Sequence, residues 1–235
     1  MSRALPIHVG SDLDDAAAEA TRVIASSLRD AIAERGRATV AFSGGTTPWG
    51  MFRVLAGAGL DWELLDAFQV DERAAPHGDP DRNATHIEST LVRLAPVPKA
   101  RWHPMPVEEP EPAGAARRYE RTLRDVAGGV LDVVHLGLGD DGHTASLVPG
   151  DPVLGVTDRL VAPTAAYQGH RRVTLTYPAI NAARSIVWLV AGAAKGEVLR
   201  RLVAGDPTIP AGRVLQDRAV VVCDEAAAAP LLTER

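Results

Sequence analysis

The twenty residues at positions 131–150, LDVVHLGLGDDGHTASLVPG, constrain this chain more than any other stretch. Residues 131–136 form an apolar, β-rich run, the pattern of a strand buried on both faces. The run breaks at once into Gly137, Gly139, Asp140, Asp141, Gly142 and His143, where glycine permits positive φ and close approach of the backbone to a ligand. In an open parallel sheet, ligands bind in the crevice beyond the carboxyl ends of the strands. Two carboxylates and an imidazole are delivered to that side, which is the layout of an active site. A Gly-Asp-Asp-Gly run alone is often only a solvated turn, but here residues 144–147 and the turn at Pro149 and Gly150 make a short ordered segment. Such a segment can hold His143 in a fixed orientation.

The rest of the chain alternates in the same way. Residues 7–9 suit an edge strand. From an N-cap at Ser11 or Asp12, apolar residues recur at helical spacing from Leu13 to Ile32, and Gly36 ends that helix as a C-cap. A strand at 38–42 is followed by a glycine turn and a helix over 48–56. A helical turn at 61–66 precedes a strand at 67–70, which empties into Asp71, Glu72 and Arg73. Asn83 is placed either to cap a helix running to about Leu94, with Ile87, Leu91 and Leu94 on its apolar side, or to contact a ligand. Residues 95–113 hold six prolines, yet their Trp, Met and Val are too dense for a flexible linker. They read as a crossover packed along the body, with His103 structural. Beyond a helix at 115–126 and the 131–136 strand come strands at 160–162, 171–177, 185–190 and 218–223, with helices from Pro178, at 197–203 and at 225–232. This succession predicts one α/β domain over residues 1–235.

A second loop has ligand chemistry of its own. Ser43, Gly44, Gly45, Thr46, Thr47 and Pro48 lie between a strand and a helix. Two glycines let several backbone N–H groups face one anion, the hydroxyls add donors, and Pro48 in the first turn sacrifices no needed hydrogen bond. The spacing is neither that of a Walker loop nor GxGxxG. Arg73 can grip a phosphate with its planar fork. Arg171 and Arg172, beside His170, form a basic cluster. Lys195 stands in the first turn of a helix, where the dipole disfavours a cation, and so either faces solvent or has an anion nearby. Together these segments point to a pocket for a small phosphorylated polar molecule.

Composition narrows the partners. The formal net charge of −5 argues against nucleic acid or an anionic membrane, so an anionic substrate must be drawn in by local Arg and Lys. Cys223, the sole cysteine, lies in an apolar run and reads as a buried strand thiol. The opening MSRALPIHVG lacks an apolar core of signal-peptide length, and no apolar run approaches the ~18 residues of a membrane span. A soluble cytoplasmic protein is expected, as a monomer or small homo-oligomer.

The strings SGGTTP, VDER, GLGDDGHTASLVPG, RVTLTYPAIN and GAAKGEVL, in this order, resemble the 6-phosphogluconolactonases, of the wider glucosamine-6-phosphate isomerase/deaminase superfamily. The resemblance implies a modified Rossmann-type three-layer sandwich with a mainly parallel central sheet. It also implies hydrolysis of 6-phospho-D-glucono-1,5-lactone to 6-phosphogluconate, the second step of the oxidative pentose phosphate pathway, without cofactor or metal. By this similarity His143 is the general base. Arg73, Arg172, Lys195 and the loop of Ser43, Gly44, Gly45 and Thr46 hold the phosphate or the sugar hydroxyls. Asp71 belongs to the same substrate-binding set, and Asp141 orients or electrostatically supports His143. Thr46 and Arg82 each stand where the family has Ser.

A δ-lactone is an activated ester, so one positioned base and donors for the oxyanion suffice. The absence of a GxSxG elbow fits direct attack by water. Two alternatives follow from the same resemblance. An amino-sugar-phosphate isomerase/deaminase needs a further acid/base, and Ser146, Leu147, Val148 and Pro149, in the corresponding region, include no carboxylate. A non-enzymatic sugar-phosphate sensor needs a DNA-reading module, and neither a helix-turn-helix extension nor a basic stripe is visible.

Overall fold

The computed structural model describes residues 5–109 and 111–232. Residues 1–4 of the opening segment, Pro110 of the crossover and residues 233–235 lie outside them.

β1 (Ile7–Gly10) leads into α1 (Leu13–Arg35), whose first turn is capped by the Asp12 carboxylate accepting the Asp15 N–H at 2.9 Å. β2 (Ala38–Phe42), α2 (Trp49–Ala56) and β3 (Leu65–Gln69) follow, with Asp61 capping a single 3-10 turn before β3. β4 (Asp71–Arg73) departs from expectation, because these residues form a strand in a second, smaller sheet rather than a loop. α3 (Asn83–Ile87) continues into a π-helical stretch, Glu88–Val92. The wider repeat shifts the phase of the apolar face, so Leu94 is 58% exposed while the next residue, Ala95, is buried.

The crossover carries β5 (Trp102–His103). His103 is structural there, since its Nε2 pairs with Asp66 Oδ1 at 2.8 Å and its ring stacks on Phe68 at 4.6 Å. After α4 (Pro112–Ala127) come β6 (Val133–Leu136), β7 (Val161–Pro163), β8 (Arg172–Leu175), α5 (Tyr177–Ala182), β9 (Ser185–Val190), α6 (Gly196–Val203), β10 (Ala219–Asp224) and α7 (Glu225–Leu232). Cys223 is fully buried in β10, and burial together with the Asp224 charge pushes its thiol up to about 11. No helix among the described residues is long and apolar enough to cross a membrane.

Seven strands form a parallel sheet in the order β1-β10-β9-β6-β2-β3-β5. Strand side chains alternate between faces, and here both faces are covered. Val134, Leu136, Ile186, Trp188 and Val190 pack into one core with α4, α5, α6 and α7. Val40, Phe42, Val133, Val187 and Leu189 pack into the other with α1, α2 and α3. The result is an α/β sandwich of three layers. The small antiparallel sheet, β4-β8-β7, joins the first core through Val173, Leu175 and Val161.

The strand order reverses between β2 and β6. From β2 the chain proceeds to β3 on one side, whereas β6 lies on the other side and leads on towards β9. At such a switch point the loops leaving neighbouring strands diverge and open a crevice. The two loops that diverge here are those beginning at Ser43 and Gly137.

Candidate active site

A cavity of about 250 Å³ occupies that crevice. Ser43, Gly44, Gly45 and Thr46 line it from the end of β2, His143 from the loop after β6, and Lys195 from the turn after β9. Asp71 and Arg73 enter from the small sheet rather than from the end of a parallel strand, which corrects their expected origin, and Arg172 enters from the same small sheet. Arg172 lines the cavity, while Arg171 is exposed.

The imidazole of His143 is held on several sides. Its Nδ1 lies 2.6 Å from Asp141 Oδ1, which also accepts the His143 backbone N–H at 3.1 Å. Burial would raise the Asp141 carboxyl, but the N–H and imidazole of His143 and the Tyr167 hydroxyl outweigh it, so the group sits below the ordinary carboxylate range. An ionised carboxylate only accepts, which puts the shared proton on Nδ1 and leaves Nε2 free to take another. Gly139 makes room for the ring: a Cβ there would lie 2.0 Å from His143 Nδ1. Beyond the imidazole, Ala145 adopts a left-handed φ of 50°, and the Ser146 hydroxyl donates to Asp71 Oδ2 at 2.5 Å.

The cationic side is built by strand register. Arg73 and Arg172 are direct partners on the antiparallel pair β4 and β8, an unfavourable placement for like charges unless an anion joins them. Arg172 is 3% exposed, and burial followed by the charge of Arg73 lowers its pKa despite the opposing pull of Asp71. The Nε of each guanidinium is buried with no hydrogen-bond partner in the structure. Arg73 Nη1 is anchored on the Asp81 carbonyl at 2.6 Å. Lys195 Nζ pairs with the Asp140 carboxylate, tying the loop after β9 to that after β6. The anion near Lys195 is thus, in this state, a side chain of the protein.

Beneath these groups lies a buried scaffold centred on Glu72. Its carboxylate accepts the Asn83 and Ala84 N–H groups at 2.7 Å each, the Arg73 N–H at 2.8 Å and Gln69 Nε2–H at 2.8 Å, with Arg82 Nε at 3.5 Å. Glu72 therefore caps α3. Asn83 instead turns its amide to the carbonyl and carboxylate of Asp71, at 3.0 and 3.2 Å. Gly44 passes against that side chain so closely that a Cβ would stand 1.9 Å from Asn83 Oδ1. Arg82 is almost wholly buried and reaches Glu108 from beneath.

Two residues of the site were not among those the sequence singled out. His135, fully buried in β6, lines the cavity and accepts the Ser43 N–H on Nδ1 at 3.3 Å. Burial pulls it down to about 3, so it is neutral with its proton on Nε2, which has no partner. The signal was present, as one imidazole inside an otherwise apolar strand. Tyr167 donates to Asp141 Oδ2 at 3.2 Å and meets the His143 ring edge-on at 5.6 Å. A lone aromatic residue in a polar loop gave no such signal.

A family model described as glucosamine-6-phosphate isomerases/6-phosphogluconolactonase matches residues 11–223 of the chain. The chain is 39% identical to a 6-phosphogluconolactonase of Synechocystis sp. over 85% of its own length and 86% of that protein's. It is 35% identical to one of Streptomyces coelicolor, over 97% and 94% respectively. Among solved structures, 6-phosphogluconolactonase from Trypanosoma cruzi superposes with a TM-score of 0.88 at 26% identity, covering 98% of both chains.

Proposed function

The chain belongs to the glucosamine-6-phosphate isomerase/6-phosphogluconolactonase family, and from that premise we propose that it hydrolyses 6-phospho-D-glucono-1,5-lactone to 6-phosphogluconate, acting as a single domain. The observation that carries this reading is one cavity lined both by an imidazole backed by a carboxylate and by two opposed guanidinium groups. One end suits proton abstraction from water, the other a phosphate dianion.

In this reading Arg73 and Arg172 clamp the phosphate through charge-assisted hydrogen bonds, and Lys195 lends a further positive charge. The remote phosphate thereby fixes the lactone carbonyl over the imidazole, converting binding energy into orientation. His143 Nε2 takes a proton as a water oxygen bonds to C1 of the lactone, and Asp141 stabilises the resulting imidazolium. Backbone N–H groups of Gly44 and Gly45 serve the oxyanion or the sugar hydroxyls. When the tetrahedral species collapses, the bond from C1 to the ring oxygen breaks and the imidazolium returns its proton to that oxygen. The products are a carboxylic acid and a free hydroxyl, and the imidazole is regenerated.

The direct test offers purified protein the lactone and glucosamine 6-phosphate side by side, with the lactone rate corrected for spontaneous ring opening. Turnover of the lactone alone is expected; turnover of the amino sugar alone refutes the proposal. A finer check is Gly139→Ala. Its backbone φ is not left-handed, so alanine fits the chain there but drives the imidazole out of place. A displacement of this kind costs about 10²-fold in kcat, with KM nearly unchanged. Wild-type kcat in this variant would show that the ring position does not matter.

A further inference from the structure

The loop between β7 and β8 touches both ends of the cavity. Tyr167 N–H donates to the His170 carbonyl at 2.9 Å and His170 N–H returns to that of Tyr167 at 3.2 Å. Between them Gln168 and Gly169 have φ of 49° and 83°, the two-residue reversal whose twist suits paired strands. This tight hairpin is fastened to the phosphate side and to the base side at once. The Tyr167 ring lies under the Arg172 guanidinium at 5.1 Å, and Arg172 Nη2 reaches the Tyr167 carbonyl at 3.4 Å and Gln168 Oε1 at 3.2 Å. His170 Nε2 meets Asp81 Oδ2 at 3.1 Å, on the residue whose carbonyl anchors Arg73.

On the base side the contact is more specific. Both contacts from His143 to Asp141 fall on Oδ1, so they leave the carboxylate free to pivot about that oxygen. The Tyr167 hydroxyl holds Oδ2. Burial, then the charge of Asp141, raises the phenol above its ordinary range, which keeps it a donor under all working conditions.

We propose that Tyr167 is a positioning residue: its hydroxyl locks the Asp141 carboxylate against His143, while its ring and carbonyl seat Arg172. One side chain thereby sets the spacing between the base and the phosphate clamp. The inference rests on the lactonase reading above. It assigns a role to a residue that never needs to touch the lactone.

Tyr167→Phe removes the hydroxyl and keeps the ring. We expect kcat on the phosphorylated lactone to fall about tenfold, equivalent to about 1.4 kcal/mol and fitting one hydrogen bond to a charged acceptor. KM should change by less than about twofold, since the ring still seats Arg172. In an Asp141→Ala background the same substitution should alter kcat by less than about twofold, because the hydroxyl acts through that carboxylate. Tyr167→Ala, which also loses the ring, should further raise KM for the phosphorylated lactone but not for unphosphorylated δ-gluconolactone. A Phe variant with kcat within about twofold of wild type, or an equal loss with and without Asp141, overturns the proposal. Wild-type protein inert towards the lactone would instead refute the function on which it rests.

Discussion

Replacing His143 by Asn lowers kcat for the phosphorylated lactone by about 10²- to 10⁴-fold, the usual contribution of a general base. The amide has a comparable size and can keep a hydrogen bond to Asp141, but it cannot take a proton from water. KM should move little, because Arg73 and Arg172 enter from a different sheet and are untouched by the change. Asp141 has its pKa depressed in the folded protein by the His143 and Tyr167 contacts, which outweigh burial. Its charge is therefore present above the ordinary carboxylate range and is lost only as pH falls through the lowered value. The carboxylate stays ionised through mildly acidic conditions, so a fall in kcat there does not come from loss of the Asp141 charge. An Asn variant keeping more than about a tenth of wild-type kcat would remove His143 from the mechanism.

Arg172→Met acts at the other end, and its main effect is on binding. The guanidinium is buried, opposes Arg73 across the strand pair, and has an unpartnered Nε. Losing a charge-assisted bond of about 1.5–3 kcal/mol raises KM for the phosphorylated lactone by about 10- to 10²-fold. The unphosphorylated lactone has nothing to lose there, so its kcat/KM should stay near wild type. Stability should move in the opposite direction. Without ligand, the opposed cations repel and Arg172 bears a desolvation cost, so the Met variant is expected to melt at a higher temperature than wild type. Inorganic phosphate should raise the melting temperature of the wild type by mass action and do so far less in the variant. Equal phosphate stabilisation of both proteins would place the anion elsewhere. A site that sacrifices resting stability for ligand charge is a common trade in binding pockets.

Several features of the site were legible in the residues, for a local reason. The Ser43 and Gly137 loops each follow an apolar strand without interruption, so the change from a continuous apolar run to glycine and polar side chains marks where the chain leaves the sheet. Lys195 was legible as a cation at a helix start, and Cys223 as a buried strand thiol. Asn83 shows the limit: its position at the start of α3 suggested a cap or a ligand contact, and only the cap is excluded, because a carboxylate eleven residues earlier in the chain, that of Glu72, takes the N–H groups while Asn83 lines the cavity. Leu94 shows another, because one widened helical turn moved the buried position to Ala95.

Asp71, Glu72 and Arg73 continue directly from a strand of the main sheet, and nothing in their spacing says that they pair instead with Arg172, Val173 and Thr174. The alternation of a strand fixes which face a side chain occupies, not which strand lies beside it. The residues by themselves therefore determined most of the order of elements, the loops that line the cavity and the identity of the charged groups. Tertiary structure decided that Arg73 should oppose Arg172 and that Tyr167 should reach Asp141. Both depend on register between segments distant in the chain, where the energy of a contact is shared by two partners and written in neither alone.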